Sequence, residues 1–390
     1  MPAALFALAI GAFGIGLTEF VVAGILPQIA RDFGIDIPTT GLMATTYALG
    51  VFVGAPILTV LGARVPRKTM LIALAVLFTL GNVITALAPT FSIALVGRII
   101  TAFNHGTFFG IGSIIAASLV TKDRQASAIA FMFSGLTLAN LFGVPAGTWL
   151  AQVYDWRLVF WLIAGIGLVT VLSIVLLVPR IEAGKAIALK AELRAFADPQ
   201  VLLAMGITVF GPAAFFTSIT YIAPMMVEEA GVSDAAVARL MVLFGLGLAV
   251  GNWCGGRFAD RSLFGTLFVT LAAQSAVLLV FWIGVENWVI ASASVFLMAA
   301  FGFATVSPIQ KLVMDRANRA GAPTMAASVN IGMFNLGNAI GAWVGGATIA
   351  AGFGLASPNW AGALLSLVAL GLATMAWSTD RKEYSVVAAE

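Results

Sequence analysis

The sequence predicts an all-α, polytopic membrane protein with twelve transmembrane helices in two pseudo-symmetric six-helix bundles. Three observations carry that expectation. Of the 390 residues, 61% are apolar and 9% charged, with a mean hydropathy of +1.04, whereas soluble domains run near about 45–50% apolar and about 25% charged. Twelve apolar runs are each long enough to cross a hydrocarbon core of about 30 Å, which takes about 20 helical residues. A single sequence offset also aligns features of the second six runs with the first. A chain this apolar cannot cover a water-facing surface. That excludes a soluble enzyme, and disorder, collagen and coiled coil go with it.

The runs lie at roughly 4–30, 40–62, 69–89, 91–120, 126–152 and 157–178, and then at roughly 201–228, 236–259, 264–284, 287–313, 324–352 and 359–378. A transmembrane β-barrel would instead show alternating segments of about ten residues. The first run is too long for a signal-peptide core and has no basic segment before it, so it is expected to stay as a span. Gly 41 and Phe 28 suit a membrane bundle, because small residues let helix backbones approach closely.

Orientation follows from Lys and Arg in the short loops. With the N-terminus inside, sixteen of the 20 cationic residues fall on the inner side, from Arg64, Arg67 and Lys68 to Arg381 and Lys382. The outer side holds Arg31, Arg157 and Arg239, and Arg98 lies within a run. Both termini are therefore expected in the cytoplasm, and the pI of 9.2 reads as an orientation signal rather than a nucleic-acid footprint. Trp156, Trp288 and Trp360 fall near outer ends, where an aromatic belt is expected. The expected organisation is a first bundle over 1–179, a cytoplasmic linker over 180–200, a second bundle over 201–379 and a tail over 380–390. In the linker, Leu189, Leu193 and Phe196 recur at helical spacing, which predicts an amphipathic helix on the inner membrane surface.

Sliding the chain by 197 residues puts Pro27 on Pro224, Gly50 and Gly54 on Gly247 and Gly251, Arg64 on Arg261, and Gly135 on Gly332. One offset serving three pairs of runs points to an internal repeat, and repeats pivoting about a midplane site are how many secondary transporters are built.

The loop after the eighth run reads Gly256-Arg257-Phe258-Ala259-Asp260-Arg261. Its first-half copy, from Ala63 through Arg64, Arg67 and Lys68, keeps the basic residues but has Ala63 in the place of Asp260, and Pro66 follows. The fourth run carries Arg98 and then His105-Gly106, and the fifth carries Gly135, Gly143, Pro145 and Gly147. The chain opens with Thr18-Glu19-Phe20 and Leu26-Pro27-Gln28-Ile29-Ala30. With these residues the chain resembles the major facilitator superfamily over essentially its whole length, and within it the drug:proton antiporter group, arabinose-efflux and chloramphenicol-resistance branch. The resemblance implies gating roles for Arg64, Arg67, Lys68, Gly256, Asp260 and Arg261, though the first-half loop lacks the usual acid. It implies a hinge at Gly143, Pro145 and Gly147 and antiport rather than symport. Span 5 and span 8 glycines at four-residue spacing, including Gly247, Gly251 and Gly255, would form flat faces for close helix contact, and Pro145 would remove a helix hydrogen bond and kink span 5.

Ionisable groups in a bilayer cost about 2.5–3.5 kcal/mol at a helix centre and mark pathways. Away from helix ends the chain keeps Glu19, Arg98 and His105. At about 1.5 Å per residue, Glu19 and Arg98 both lie about 9–10 Å below the outer face, and His105 follows two turns deeper on the Arg98 face. Three readings of Glu19 are open: a protonation switch whose affinity depends on hydration and on Arg98, a static Glu19–Arg98 pair that locks helices 1 and 4, or a side chain snorkelling to the outer interface. His105 is a proton relay, a substrate contact or a satisfied structural group. In the superfamily resembled here, helices 1, 4, 7 and 10 line the cavity, which implies Thr18, Asn104, Phe215, Phe216, Thr217, Thr220, Tyr221, Thr305, Ser307 and Gln310 for substrate. Asn140, Asn330, Asn335 and Asn338 on spans 5 and 11 either add hydrogen bonds to it or join helices. Aromatics beside few charges suit a neutral or weakly polar ligand.

The function expected is a proton-driven antiporter exporting a small organic solute, a drug or sugar, by alternating access. An uptake symporter, a uniporter or a non-transporting sensor are the rivals. No Ser-His-Asp trio, phosphate loop or carboxylate cluster supports a membrane enzyme. Lone Cys254 and lone His105 exclude a disulfide framework and leave no metal site. The expected partners are the solute, protons and the lipid bilayer of a bacterial cytoplasmic membrane, with no nucleic acid, no cofactor and a monomeric chain.

Overall fold

The computed structural model describes residues 2–62, 64–121, 124–181, 198–320 and 326–387. Among these residues every regular element is helical. Eleven helices or helix pairs are long and apolar enough to cross a membrane, from Ala3–Phe33 to Ser357–Asp380. The twelfth, span 11, has the length at Ala326–Ala350, but Asn330, Asn335 and Asn338 dilute its hydropathy. The architecture is thus the twelve-helix, two-bundle one. Most of the expected linker helix, 182–197, lies outside the described residues, as does Lys122.

Five spans depart from continuous α-helix, the first being span 2, broken at Gly41 between Ile37–Thr40 and Leu42–Gly62. Span 4 is Phe91–Phe103 and His105–Ser118, meeting at Asn104. Span 10 is Trp288–Ala304 and Val306–Arg319, meeting at Thr305. Span 7 was expected as one run; it is Pro199–Ile219 and Ile222–Glu228, broken at Thr220–Tyr221. Span 5 contains a π-helical turn, Ala139–Gly143, before its last helix Val144–Val153. Pro145 lies two residues past that π-helical turn in a helix that runs on through Gly143 and Val144, so its missing N–H interrupts the ladder next to the π-helical turn.

Spans 1 and 7 are the most enclosed, with 72% and 78% of their apolar windows buried against 39–61% for the others. They occupy the same place in the two halves. The repeat also shows in the packing. A Cβ on Gly50 or Gly54 of span 2 would meet Ala102 and Phe103 of span 4 at 2.7 Å. A Cβ on Gly247 or Gly251 of span 8 would meet the span 10 carbonyls of Phe296 and Ala300 at 2.4 and 2.0 Å. These glycines therefore bind spans 2 and 8 within their own halves. Gly255, against Ala304, continues the seam. The contact that crosses between halves is a different one, Gly245 of span 8 on the Asn140 backbone of span 5. Span 2 meets span 11 on the other side, where Ile331 packs on Tyr47 and Val51.

Trp288 is exposed, as a belt residue should be, whereas Trp156 is buried, tilted against Phe33 and edge-on to Phe160. The Arg157 guanidinium lies 4.5 Å over its ring and also pairs with Asp32, so an inward anchor replaces the expected lipid contact. Replacing Gly251 with alanine should lower stability by about 1–3 kcal/mol through overpacking, read as a lower melting temperature in detergent. Gly371→Ala, with nothing within 4 Å of the new methyl, should leave it unchanged.

Candidate functional site

The site is built on a fully buried cation. Arg98 has 0% exposure. Its Nε donates to the Met43 carbonyl at 3.2 Å, and its Nη1 donates to the Thr18 carbonyl and Oγ1 at 2.9 and 3.0 Å. The guanidinium also lies 4.2 Å from the Tyr47 ring centroid. Charge-assisted bonds are worth about 1.5–3 kcal/mol each and a desolvated cation–π contact about 2 kcal/mol, enough to offset the insertion cost without a carboxylate. The network extends both ways. The Thr18 hydroxyl donates to Asn82 Oδ1 at 3.0 Å, and the Tyr47 hydroxyl lies 3.1 Å from His105 Nδ1. Spans 1, 2, 3 and 4 are thereby joined by one polar chain.

No ion pair joins Glu19 to Arg98; the static pair is absent from this conformation. Arg98 Nη2 has no hydrogen-bond partner. Glu19 instead faces a cavity of about 1220 Å³, and its Oε1 accepts from Asn338 Nδ2 of the other half at 3.5 Å.

The cavity wall includes Glu19, His105, Asn140, Ser307, Gln310, Asn330 and Asn335 among the residues singled out in the sequence. Asn330 bonds both Thr208 and Gln310. Asn140 and Asn335 donate to the carbonyls of Leu136 and Ile331. The wall is completed by residues the sequence reading missed, chiefly Phe20, Phe109, Phe133, Phe303 and Phe334; Phe109 and Phe133 stack at 4.9 Å. A phenylalanine in an apolar helix carries no signal that separates a cavity wall from a lipid face. Tyr47 and Asn82 were missed as well, although a polar group within an apolar run is a usable sign.

The remaining candidates lie off the cavity. Thr18 serves Arg98, and Asn104 is buried at the break in span 4. Thr217, Thr220 and Thr305 donate to Ala213, Phe216 and Gly302 carbonyls of their own helices. Phe215 and Phe216 belong to an aromatic plug: Phe20 of the first half sits 5.8, 5.9 and 6.1 Å from Phe216, Phe244 and Phe303 of the second, and Phe215 stacks on Phe244.

Arg67 and Lys311 stand in the cavity wall, so it opens toward the end of the bundle where the basic loops lie. At that end Asp260 pairs with Lys311 at 3.6 Å, Lys68 Nζ donates to the Val175 carbonyl at 2.8 Å, and the Arg261 guanidinium lies 5.9 Å over Phe258. Each of these contacts stays within one half. Arg64 is exposed, and Gly256 lies close to Ser307. In span 5, Gly143 and Gly147 rest on Leu17 and Val21 of span 1.

The opposite end is shut by contacts across the halves. Arg31 and Asp234 approach to 3.9 Å, and Gln152 Nε2 donates to the Asp234 carbonyl at 2.5 Å. Tyr221, at the break in span 7, donates its hydroxyl to the Ala342 carbonyl at 2.8 Å and lies against Gly41 of the first half. A Cβ on Gly41 would fall 2.1 Å from that hydroxyl. Gly41 is presented by the short helix Ile37–Thr40, capped by Asp36, which accepts from the Thr39 amide at 2.6 Å. Hydrogen bonds from Thr39 hold the Asp36 carboxyl below the usual carboxylate range, so the cap persists until the pH falls below an ordinary aspartate's titration.

Gly41→Val should keep this end from closing. In a protein with Cys254→Ser and a cysteine at Pro38, labelling by a membrane-impermeant maleimide should rise several-fold over the Gly41 parent.

The profile of the Major Facilitator Superfamily matches residues 8–332. The inner membrane transport protein YdhP of Escherichia coli (strain K12) is 45% identical over 371 residues, covering 95% of each chain. A chloramphenicol resistance protein of Streptomyces lividans is 34% identical over 381 residues, again covering 95% of both. The crystal structure of a D-xylose-proton symporter superposes with a TM-score of 0.74 at 14% identity, covering 96% of this chain and 97% of that one, which shows a shared fold. A twelve-span chain with a central cavity and this kinship is a multi-pass membrane transporter and not an enzyme: it belongs to the Major Facilitator Superfamily.

Proposed function

We propose that this transporter is a proton-coupled antiporter that exports a small organic solute, a drug or sugar, across the inner membrane by alternating access. The observation that carries the reading is the position of Glu19: a carboxylate in the wall of an open cavity, one residue from the threonine that holds the buried Arg98. A carboxylate with a cavity on one side and a cation held by neutral groups behind it has two environments to alternate between, and such alternation is what loads and releases a proton.

The positive-inside rule makes the basic end cytoplasmic, with both termini there, and the cavity then faces the cytoplasm while the Asp234–Tyr221 end is closed. Rocking of the bundles, 1–179 and 201–379, about the seams at Gly245–Asn140 and Ile331–Tyr47 would exchange the open and shut ends. The linker over 180–200 and the tail over 380–390 stay on the cytoplasmic side. One charge crossing about 100 mV supplies about 2.3 kcal/mol, before any pH gradient. The aromatic wall and the amides of Asn140, Asn330, Asn335 and Gln310 suit a neutral or weakly polar solute. The name of the Streptomyces lividans relative agrees with an exported antibiotic-like cargo. Solute and protons are the working partners, the bilayer the solvent, and a monomer the transporting unit.

A thermal-shift panel of sugars and antibiotics should find a stabilising solute. In inverted vesicles its uptake should follow an imposed pH gradient in the wild type, and Glu19→Gln should abolish that dependence while retaining counterflow. Uptake by Glu19→Gln that stays fully gradient-driven removes Glu19 as the carrier, and gradient-independent uptake by the wild type makes the protein a uniporter.

A further inference from the structure

The buried asparagines of this membrane domain differ in where their amide donors go. Asn82, Asn140 and Asn335 donate their Nδ2 to the carbonyl four residues back, at 2.8, 3.0 and 2.9 Å, so their donors are spent on their own helices; Asn82 Oδ1 accepts from Thr18, and the Oδ1 atoms of Asn140 and Asn335 are buried without a hydrogen-bond partner. Asn338 is different. Its side chain is fully buried in span 11, its Nδ2 reaches across to Glu19 Oε1 of the first half at 3.5 Å, and its Oδ1 is buried with no partner.

An ionised carboxylate only accepts hydrogen bonds, whereas a protonated one carries an O–H that must donate. A primary amide offers both functions, an NH₂ and a carbonyl, exchanged by a half-turn of the same group. Asn338 thus holds a donor against Glu19 and keeps an unused acceptor on the same carbon. The other groups near Glu19 lack this pairing of functions. Arg98 of span 4 has donors only, and the Tyr47 hydroxyl of span 2 is occupied by His105 Nδ1. His105 lines the same cavity with that nitrogen committed. All three belong to the first half; Asn338 belongs to the second.

We propose that Asn338 is a positioning residue that bonds Glu19 in both proton states, through Nδ2 when Glu19 is ionised and through Oδ1 when it is protonated, and thereby ties the second half to the proton carried by the first. This rests on the reading of Glu19 as the proton carrier. An unpartnered buried amide oxygen is costly, and burial without a bond is rare in folded proteins. Protonation of Glu19 gives that oxygen its partner, so the proton changes the packing across the seam as well as the charge in the cavity.

Infrared difference spectra of the full-length protein in lipid, recorded across a pH titration, test this directly. The protonated-carboxyl C=O band that Glu19→Gln removes is the band of Glu19. In Asn338→Leu that band should move to higher frequency, as a lost hydrogen bond requires, and Asn338→Gln should return it part of the way. Spin labels at positions 35 and 235, one on each half, should show a pH-dependent distance in the wild type that Asn338→Leu removes. Asn338→Ser, whose hydroxyl is too short to reach Glu19, is the second variant should the leucine not fold. A band that stays in place, or a pH-dependent distance that survives these variants, overturns the proposal while leaving Glu19 as carrier. Absence of any titrating Glu19 band in the wild type overturns the carrier reading itself, and this proposal with it.

Discussion

The constraint on which the rest of this structure depends is the solvation of Arg98 inside the membrane. A guanidinium with no exposure needs its charge answered locally, and the simplest answer is a carboxylate. Here the answer is two backbone carbonyls, one threonine hydroxyl and a tyrosine ring. A backbone partner cannot titrate and cannot leave, so Arg98 is held whatever the pH. The acid next door stays out of the pair and faces the cavity. Had Glu19 been consumed in a salt bridge, the cavity would have lost its carboxylate and the bundle would have gained only a buried ion pair, which is weak currency for stability.

The two halves then divide the work. Glycine seams between spans 2 and 4, against Ala102 and Phe103, and between spans 8 and 10, against backbone carbonyls, bring the helices of each half into close contact. Between the halves lie a phenylalanine plug around Phe20, a tyrosine on a glycine, Gly245 on the span 5 backbone, an exposed ion pair, a Gln152–Asp234 hydrogen bond and an amide–carboxylate bond. Surface ion pairs contribute about 0–1 kcal/mol, and the plug is a set of ring contacts that can be remade elsewhere. Bundles stiffened in this way can turn against one another as rigid bodies.

Much of this was legible in the residues. Eleven spans are clear from hydropathy and the asparagine-diluted span 11 from its length, and the repeat follows from an offset. That offset proved to be a packing rule, since the aligned pairs Gly50/Gly247 and Gly54/Gly251 make the same contact in each half. Glu19, Arg98 and His105 were found because charge in an apolar run is conspicuous. Tyr47, the residue that touches both Arg98 and His105, was passed over because a tyrosine in a membrane helix is unremarkable by composition. The breaks at Asn104, Thr220–Tyr221 and Thr305 also escaped, for no proline or glycine marks the broken residue itself.

The sequence by itself determined the solvent, the number of crossings, the repeat and the identity of the buried charges, because each depends on the cost of placing a given side chain in hydrocarbon. Tertiary structure alone decided whom those side chains meet. Whether Arg98 bonds a carboxylate or a carbonyl, whether Phe215 faces a cavity or a neighbouring ring, and which asparagine crosses the seam all depend on distances between helices far apart in the chain. Those distances are set by packing, which no local pattern of residues records.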